Sequence, residues 1–267
     1  MNNTIYTRQQ YLEIIRKEKS TVRLVQVMLV VVFLAVWEIA AYTGVIDAFI
    51  VSSPSRMVST FFLMAQSDLA VHILYTVGET IVGFTIGVVL GFFMAVGLWY
   101  SDFVSRVAAP FLVVANSLPK IALGPVIIVW AGAGISAIIT MAVAISLIVT
   151  VMELSHGFYA TDKNMMVTVQ SFGADKWQTF QKVVMPYNIP VLFQSLKVNI
   201  GLSLVGVIAG EFLVSKAGLG YLIVYAGQVF KMDLVMMSVV LLGFIAFLMY
   251  SAVSGLEKLA VKIINHI

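Results

Sequence analysis

Few side chains in this sequence could do chemistry, and their types and spacing do not assemble a reaction centre. Cysteine is absent, which excludes a disulfide scaffold, thiolate metal sites and a Cys nucleophile. No H-E-x-x-H and no Ser-centred nucleophile elbow occurs, and no two carboxylates are expected to pair at the centre of an apolar run. His156 ends one such run without a second His, Cys or carboxylate at ligand spacing, and reads as interfacial rather than as a metal ligand or proton relay. There is no G-x-x-x-x-G-K-S/T, so the chain holds no nucleotide in a phosphate loop and any work it does must be driven from outside. It is expected not to be an enzyme, with no catalytic residue, metal or cofactor of its own.

What remains is polar chemistry inside apolar sequence. Asn116, Ser117 and Lys120 flank Pro119, and Pro125 follows. Each proline frees a carbonyl, and broken backbone at membrane depth is tolerated only where protein or a water-filled cavity satisfies it. That favours a pathway-lining helix bearing Asn116, Ser117, Pro119 and Lys120. A Lys at the bilayer centre costs about 2.5–3.5 kcal/mol, so Lys120 either faces a cavity or carboxylate or snorkels to the headgroups. Glu211, toward the outer end of a later run, joins the pathway set. Glu79 and Glu38, near the outer ends of theirs, read as facing water or headgroups.

The longest stretch that cannot sit in hydrocarbon is 161–190, which must lie in water between two spans. Its first part, 163–171, lacks Gly and Pro and can form a short helix, ended by Gly173 as the left-handed residue that only Gly adopts cheaply. Asp175 reads as the N-cap of a second helix that sets Trp177, Phe180 and Val184 on one face, until Pro186 and Pro190 stop it. The expectation is helix, Gly turn, helix.

Composition supplies the surroundings. With 61% hydrophobic and 11% charged residues, and a mean hydropathy of +1.01, the chain is a polytopic membrane protein. At roughly 20 apolar residues per crossing, about six helices are expected in one membrane domain, 24–267, behind a cytoplasmic segment, 1–23. The spans read as 24–42, 71–100, 110–136, 138–154, 191–213 and 234–256. The first is taken as an uncleaved span rather than a signal peptide, being long for one. Asp102 and Arg106 form a brief turn before the third, and Glu153, His156 and Gly157 lead out of the fourth. Segment 44–68 reads as an external loop with a short helix after Pro54, and 217–233 as an external, partly re-entrant helix. Glycines 78, 83, 87, 91 and 97 read as packing residues that let helices approach closely.

Charge placement sets orientation. Arg8, Arg16, Lys17, Lys19 and Arg23 precede the first span, while Lys163, Lys176 and Lys182 lie in the 161–190 loop. Six crossings put both termini and that loop on one face, the cytoplasmic one by the excess of positive charge.

The 161–190 pattern resembles the cytoplasmic loop of the membrane subunits of ATP-binding-cassette (ABC) importers, in which a Gly separates two short helices ahead of a Leu-Pro-like pair. Here these are Gly173 and Met185-Pro186, while the family's opening Glu-Ala-Ala is replaced by Val167, Thr168 and Val169. The run with Pro119, Lys120, Ala122, Pro125, Trp130, Gly132 and Gly134, and that with Ala209, Glu211, Gly218, Leu219 and Gly220, are similar to the nitrate, sulfonate, taurine and pyrimidine-precursor branch. Pro54, Gly83-Phe84, Gly87 and Gly91 fit it too. Glu79 departs, since relatives commonly carry Arg there.

The resemblance implies an all-α type I (MetI-like) importer permease in a bacterial plasma membrane. It implies a homodimer, two ATPase subunits carrying ATP and Mg, and a solute-binding protein, with no role for nucleic acid. It makes the loop a coupling helix that docks into the ATPase, through Phe172, Gly173, Ala174, Asp175, Trp177, Met185 and Pro186. The competing expectation is an ion-coupled secondary transporter or channel, which would place several ionisable groups at midplane where only Lys120 is a candidate.

Overall fold

The computed structural model describes residues 8–264; residues 1–7 of the expected cytoplasmic segment and 265–267 lie outside them. The described chain is helical throughout. In order come α1 (Arg8–Tyr42), α2 (Ala48–Val51), α3 (Pro54–Ala65), α4 (Leu69–Tyr100) and α5 (Asp102–Ser117). A 3-10 turn (Lys120–Leu123) precedes α6 (Gly124–Ala131), α7 (Ile135–Tyr159), α8 (Lys163–Ser171) and α9 (Lys176–Thr179). A π-helical turn (Phe180–Val184) then leads through α10 (Met185–Tyr187) to α11 (Ile189–Val214), α12 (Leu219–Gln228) and α13 (Met232–Ile264). Among the described residues five helices are long and apolar enough to cross a membrane, and the count reaches the expected six where the pair 102–117 and 120–131, bent by 86°, is taken as one broken span.

The core is built on α7, gripped from both sides by glycines. A Cβ on Gly83, Gly87 or Gly91 of α4 would strike Ala142, Ser146 or Thr150 of α7, successive residues of one helix face. On α11, a Cβ at Gly206 would lie 2.7 Å from Ala142 Cα, and one at Gly210 2.9 Å from Ile138 Cα. Three helices thus meet backbone to backbone, the close approach that replaces hydrophobic driving force in lipid. Gly78 and Gly97, grouped with these glycines in the sequence, meet nothing and are not part of the seam.

A second cluster, away from the hairpin end, joins α3, α12 and α13 through Met57, Leu219, Leu222, Leu234 and Met237. The lead into α3 follows the expected proline: Pro54 occupies the first turn, where its missing N–H costs nothing, and the Ser53 hydroxyl accepts from Arg56 N. α1 lies against α2 and α3, and apolar side chains along it such as Leu24 and Phe33 are about two-thirds exposed.

Four expectations change. The third span is not one irregular helix over 110–136: α5 and the Lys120–Ala131 stretch meet at 86°. Pro119, which has no donor to continue α5, and an extended Leu118 make the corner. Asp102 and Arg106 form no separate turn, because Ser101 caps α5 directly, its hydroxyl accepting from Val104 N. Glu153, His156 and Gly157 lie inside α7, which runs five residues past the expected end at Leu154. Finally, Pro186 and Pro190 do not stop the chain from being helical. Met185 N reaches back five residues to Phe180 O in the π turn, and Pro190 falls in the first turn of α11, so neither missing N–H is needed.

Candidate functional site

The hairpin forms as its local chemistry dictates. α8 spans the expected residues and Asp162 caps it by accepting from Asn164 N at 2.8 Å. Gly173 takes φ +91°, and Asp175 with Gln178 closes a capping box at 2.6 and 3.0 Å. The turn presents Phe172, which is 87% exposed, with Gly173 and Asp175 exposed beside it and Ala174 half-buried. Trp177 is half-exposed and stacks on buried Phe180 at 5.6 Å between centroids. Met185 is half-buried and Pro186 exposed.

Below the tip the hairpin is anchored to three spanning helices. Phe180 packs on Trp99 of α4 and Phe158 of α7, at 5.2 and 5.3 Å between centroids. The Lys176 ammonium lies 5.6 Å from the ring centroids of both Trp99 and Tyr100. Asn188, 1% exposed, donates to Thr161 Oγ1 and Val184 O, and α11 starts at the next residue.

The second place of interest is the corner between α5 and the Lys120–Ala131 stretch, which gathers Asn116, Ser117, Pro119 and Lys120. Lys120 is half-buried and turned back onto its own chain. Its Nζ donates to the Asn116 carbonyl at 2.9 Å, and lies 3.5 Å from Asn116 Oδ1, capping the C-terminal end of α5 where carbonyls lack donors and the helix dipole favours a cation. Just past it, Ile121, Ala122 and Pro125 face Val205, Ile208, Phe212 and Leu213 of α11 across an apolar groove of about 520 Å³.

Glu211 lies away from that groove. It is 1% exposed and bound at the opposite end from the hairpin: its Oε1 accepts the Thr76 hydroxyl of α4 at 2.7 Å, and its Oε2 accepts Gly220 N at 2.6 Å. Thr76 Oγ1 also accepts Leu219 N at 2.8 Å, and His72 Nδ1 accepts Gly218 N at 3.0 Å. The Gly218-Leu219-Gly220 run is therefore a loop stapled by Glu211, and Gly218, at φ +104°, is the residue that fits against the carboxylate. Glu211, expected along the pathway, thus holds this loop in the described subunit.

Glu79 does not face water. It is 6% exposed, neither carboxyl oxygen has a hydrogen-bond partner among the described residues, and it lies against Glu211. Two carboxyls expected apart are neighbours because Thr76, Glu79, Thr80 and Gly83 share the inward face of α4. Glu38, expected to face water or headgroups, lies at the surface and also accepts Ser55 N and Oγ at 2.9 and 2.7 Å, holding α1 to α3.

Asn188, Thr76 and Trp99 escaped the sequence reading. A lone amide between two prolines in apolar sequence, and hydroxyls at 76 and 80 in a greasy helix, were the available signals, because a polar group that water cannot reach needs a built partner.

The chain is similar to known proteins over most of its length. The family model described as binding-protein-dependent transport system inner membrane component matches residues 87–263. A protein of Haemophilus influenzae named "Probable ABC transporter permease protein" is 27% identical, over 88% of this chain and 96% of that one. The riboflavin transport system permease protein RibX of Chloroflexus aurantiacus is 27% identical, over 89% of this chain and 88% of the relative. The formylaminopyrimidine transport permease protein ThiX of Halalkalibacterium halodurans is 24% identical, over 85% and 90%. Among solved structures, an inward-facing MetNI methionine ABC transporter chain superposes with a TM-score of 0.66 at 18% identity, over 71% of this chain and 94% of the other. A bacterial ABC transporter that imports alginate gives 0.62 at 12% identity, over 91% and 98%. Those likenesses show the fold.

Proposed function

Because the chain belongs to the binding-protein-dependent transport system inner membrane components, the permease subunits of ABC importers, we propose that the hairpin at 161–190 is where a separate ATPase subunit grips it. The observation that carries this is Phe172, an almost bare aromatic side chain on a left-handed Gly173 turn, with Phe180 wedged among α4 and α7 directly beneath it. Force applied at the tip reaches three spanning helices without crossing a flexible linker.

The rest of the reading follows from that handle. ATP and Mg belong to the partner, closure of the ATPase pair pulls the hairpins of two copies of this chain, and the spanning helices alternate access to a shared pathway. The corner at Asn116, Ser117, Pro119 and Lys120, with the apolar groove beside α11, is the part of this subunit that lines it. The termini and hairpin lie in the cytoplasm of a bacterial cell, and a solute-binding protein delivers cargo on the face formed by α2, α3 and α12. The cargo is a small solute of the nitrate, sulfonate, taurine or pyrimidine-like kind, in keeping with relatives named for riboflavin and formylaminopyrimidine.

The test is co-purification in mild detergent. Wild-type chain should bring down a nucleotide-hydrolysing subunit, and Trp177→Asp should lose it while still inserting in the membrane. Retention of the ATPase by Trp177→Asp and by Phe172→Asp would reject the hairpin as the grip.

A further inference from the structure

We infer that Asn188 is the positioning residue that makes the hairpin and the end of α7 move as one body, an inference that rests on the hairpin being the ATPase's grip. The hairpin leaves α7 at Tyr159 and rejoins the membrane helices at Ile189, so its two ends could flex independently. Asn188 closes them on each other. Its Nδ2 donates to Thr161 Oγ1 at 2.7 Å, at the outgoing end, and to Val184 O at 2.8 Å, at the returning end. The Thr161 hydroxyl passes the link on to Gly157 O, 3.4 Å away in the last turns of α7.

The chemistry selects the amide. Both acceptors converge on one nitrogen with two N–H groups, which Asn has, while Asp has no donor and Leu has no polar atom. The approach also requires glycine at 157: a Cβ there would lie 2.7 Å from Asn188 Oδ1 and 2.8 Å from Val191 Cγ1. The link is 1% exposed at Asn188 and 2% at Thr161, so water does not compete for it.

Its position gives it a mechanical meaning. The π turn at Phe180–Val184 is the irregular part of the returning arm, and wide turns of this kind mark places where helical register can change. With Asn188 holding Val184 to Thr161, a pull at Phe172 is delivered to α7. Without it, the displacement is taken up at Ala160 to Asp162, where α7 has ended and α8 has not begun.

The lack of native cysteine makes this measurable. Spin labels are placed on His156→Cys in α7 and Ser171→Cys in α8, both exposed, in the complex with its ATPase subunit in lipid vesicles. With ATP and vanadate trapping the closed ATPase, the label separation should stay unchanged in the otherwise wild-type chain. In Asn188→Leu it should broaden and shift on trapping, while the KM for ATP is retained. Thr161→Val should act in the same direction, and the double variant should be no worse than Asn188→Leu alone, as for two ends of one link. If Asn188→Leu fails to assemble, Thr161→Val decides. An unshifted separation in the variants overturns the inference. That outcome is distinct from failure of the ATPase grip itself, which is read independently by co-purification of Trp177→Asp.

Discussion

Thr76 on α4 and Glu211 on α11, 135 residues apart, meet at 2.7 Å, and the same two side chains hold the backbone of Leu219 and Gly220. The loop before α12 is therefore carried by α4 and α11 together, and the Gly218-Leu219-Gly220 run is a consequence of the carboxylate beneath it.

Gly218→Ala should be among the most damaging small substitutions in the chain. Its φ of +104° is strained for any side chain, and its Cβ would fall 2.4 Å from Glu211 Cδ. Backbone strain alone costs about 1–3 kcal/mol. Gly227→Ala, in the same neighbourhood but with nothing within 4 Å, should be close to neutral. Thermal unfolding in detergent compares them, and equal midpoints would refute the staple.

The α7–α11 seam predicts a similar contrast within a single helix. Gly206→Val must push against Ala142 backbone 2.7 Å away and should cost roughly 1–3 kcal/mol or more, the range for overpacking. Gly201→Ala, one and a half turns earlier with open space around it, gains helix propensity of up to about 1 kcal/mol. Detergent melting curves moving in the same direction for both would show that the seam is misplaced.

At the hairpin tip, Gly173→Val should leave membrane insertion intact and weaken recovery of the ATPase, since φ +91° is lost while no neighbour is struck. Gly173→Asn should be milder, because Asn tolerates the left-handed region better than a β-branched residue. Pull-down yield normalised to membrane content measures both, and equal yields would mean that turn conformation is irrelevant to the contact.

These features differ in how legible they were. The hairpin could be read because its determinants are local: Gly173, Asp175 and Gln178 act over three or four residues, and water around them leaves turn chemistry in charge. Hydropathy located the spans for the same reason. The 86° corner was half legible: Pro119 announced a break, but its angle depends on what Gly124 meets, Leu213 and Met141 from other helices. The surroundings of Asn188 and Glu211 were not legible because a deciding partner lies 27 positions away for Asn188, at Thr161, and 135 for Glu211, at Thr76. In an apolar helix nothing in the neighbouring sequence says which face a lone polar residue takes, and only the glycine stripe of α4 carried that information.

The remaining prediction concerns Lys197 of α11 and Glu257 of α13, joined at 2.5 Å with side chains 20% and 25% exposed. Exposed pairs contribute about 0–1 kcal/mol, whereas breaking a buried pair costs about 3–5 kcal/mol by stranding a charge. This pair is intermediate, so Lys197→Met or Glu257→Gln alone should cost on the order of 1–3 kcal/mol. The double substitution should recover part of that loss, because no charge is then left without a counterpart. Exchanging the residues, Lys197→Glu with Glu257→Lys, should recover more if proximity is what matters, and less if each charge also answers to the membrane surface beside it. Unfolding of the four variants in detergent, read as a double-mutant cycle, gives the coupling directly. A coupling indistinguishable from zero would mean that α13 is held to α11 by apolar packing alone, with Leu204, Leu242 and Ile245 carrying the contact.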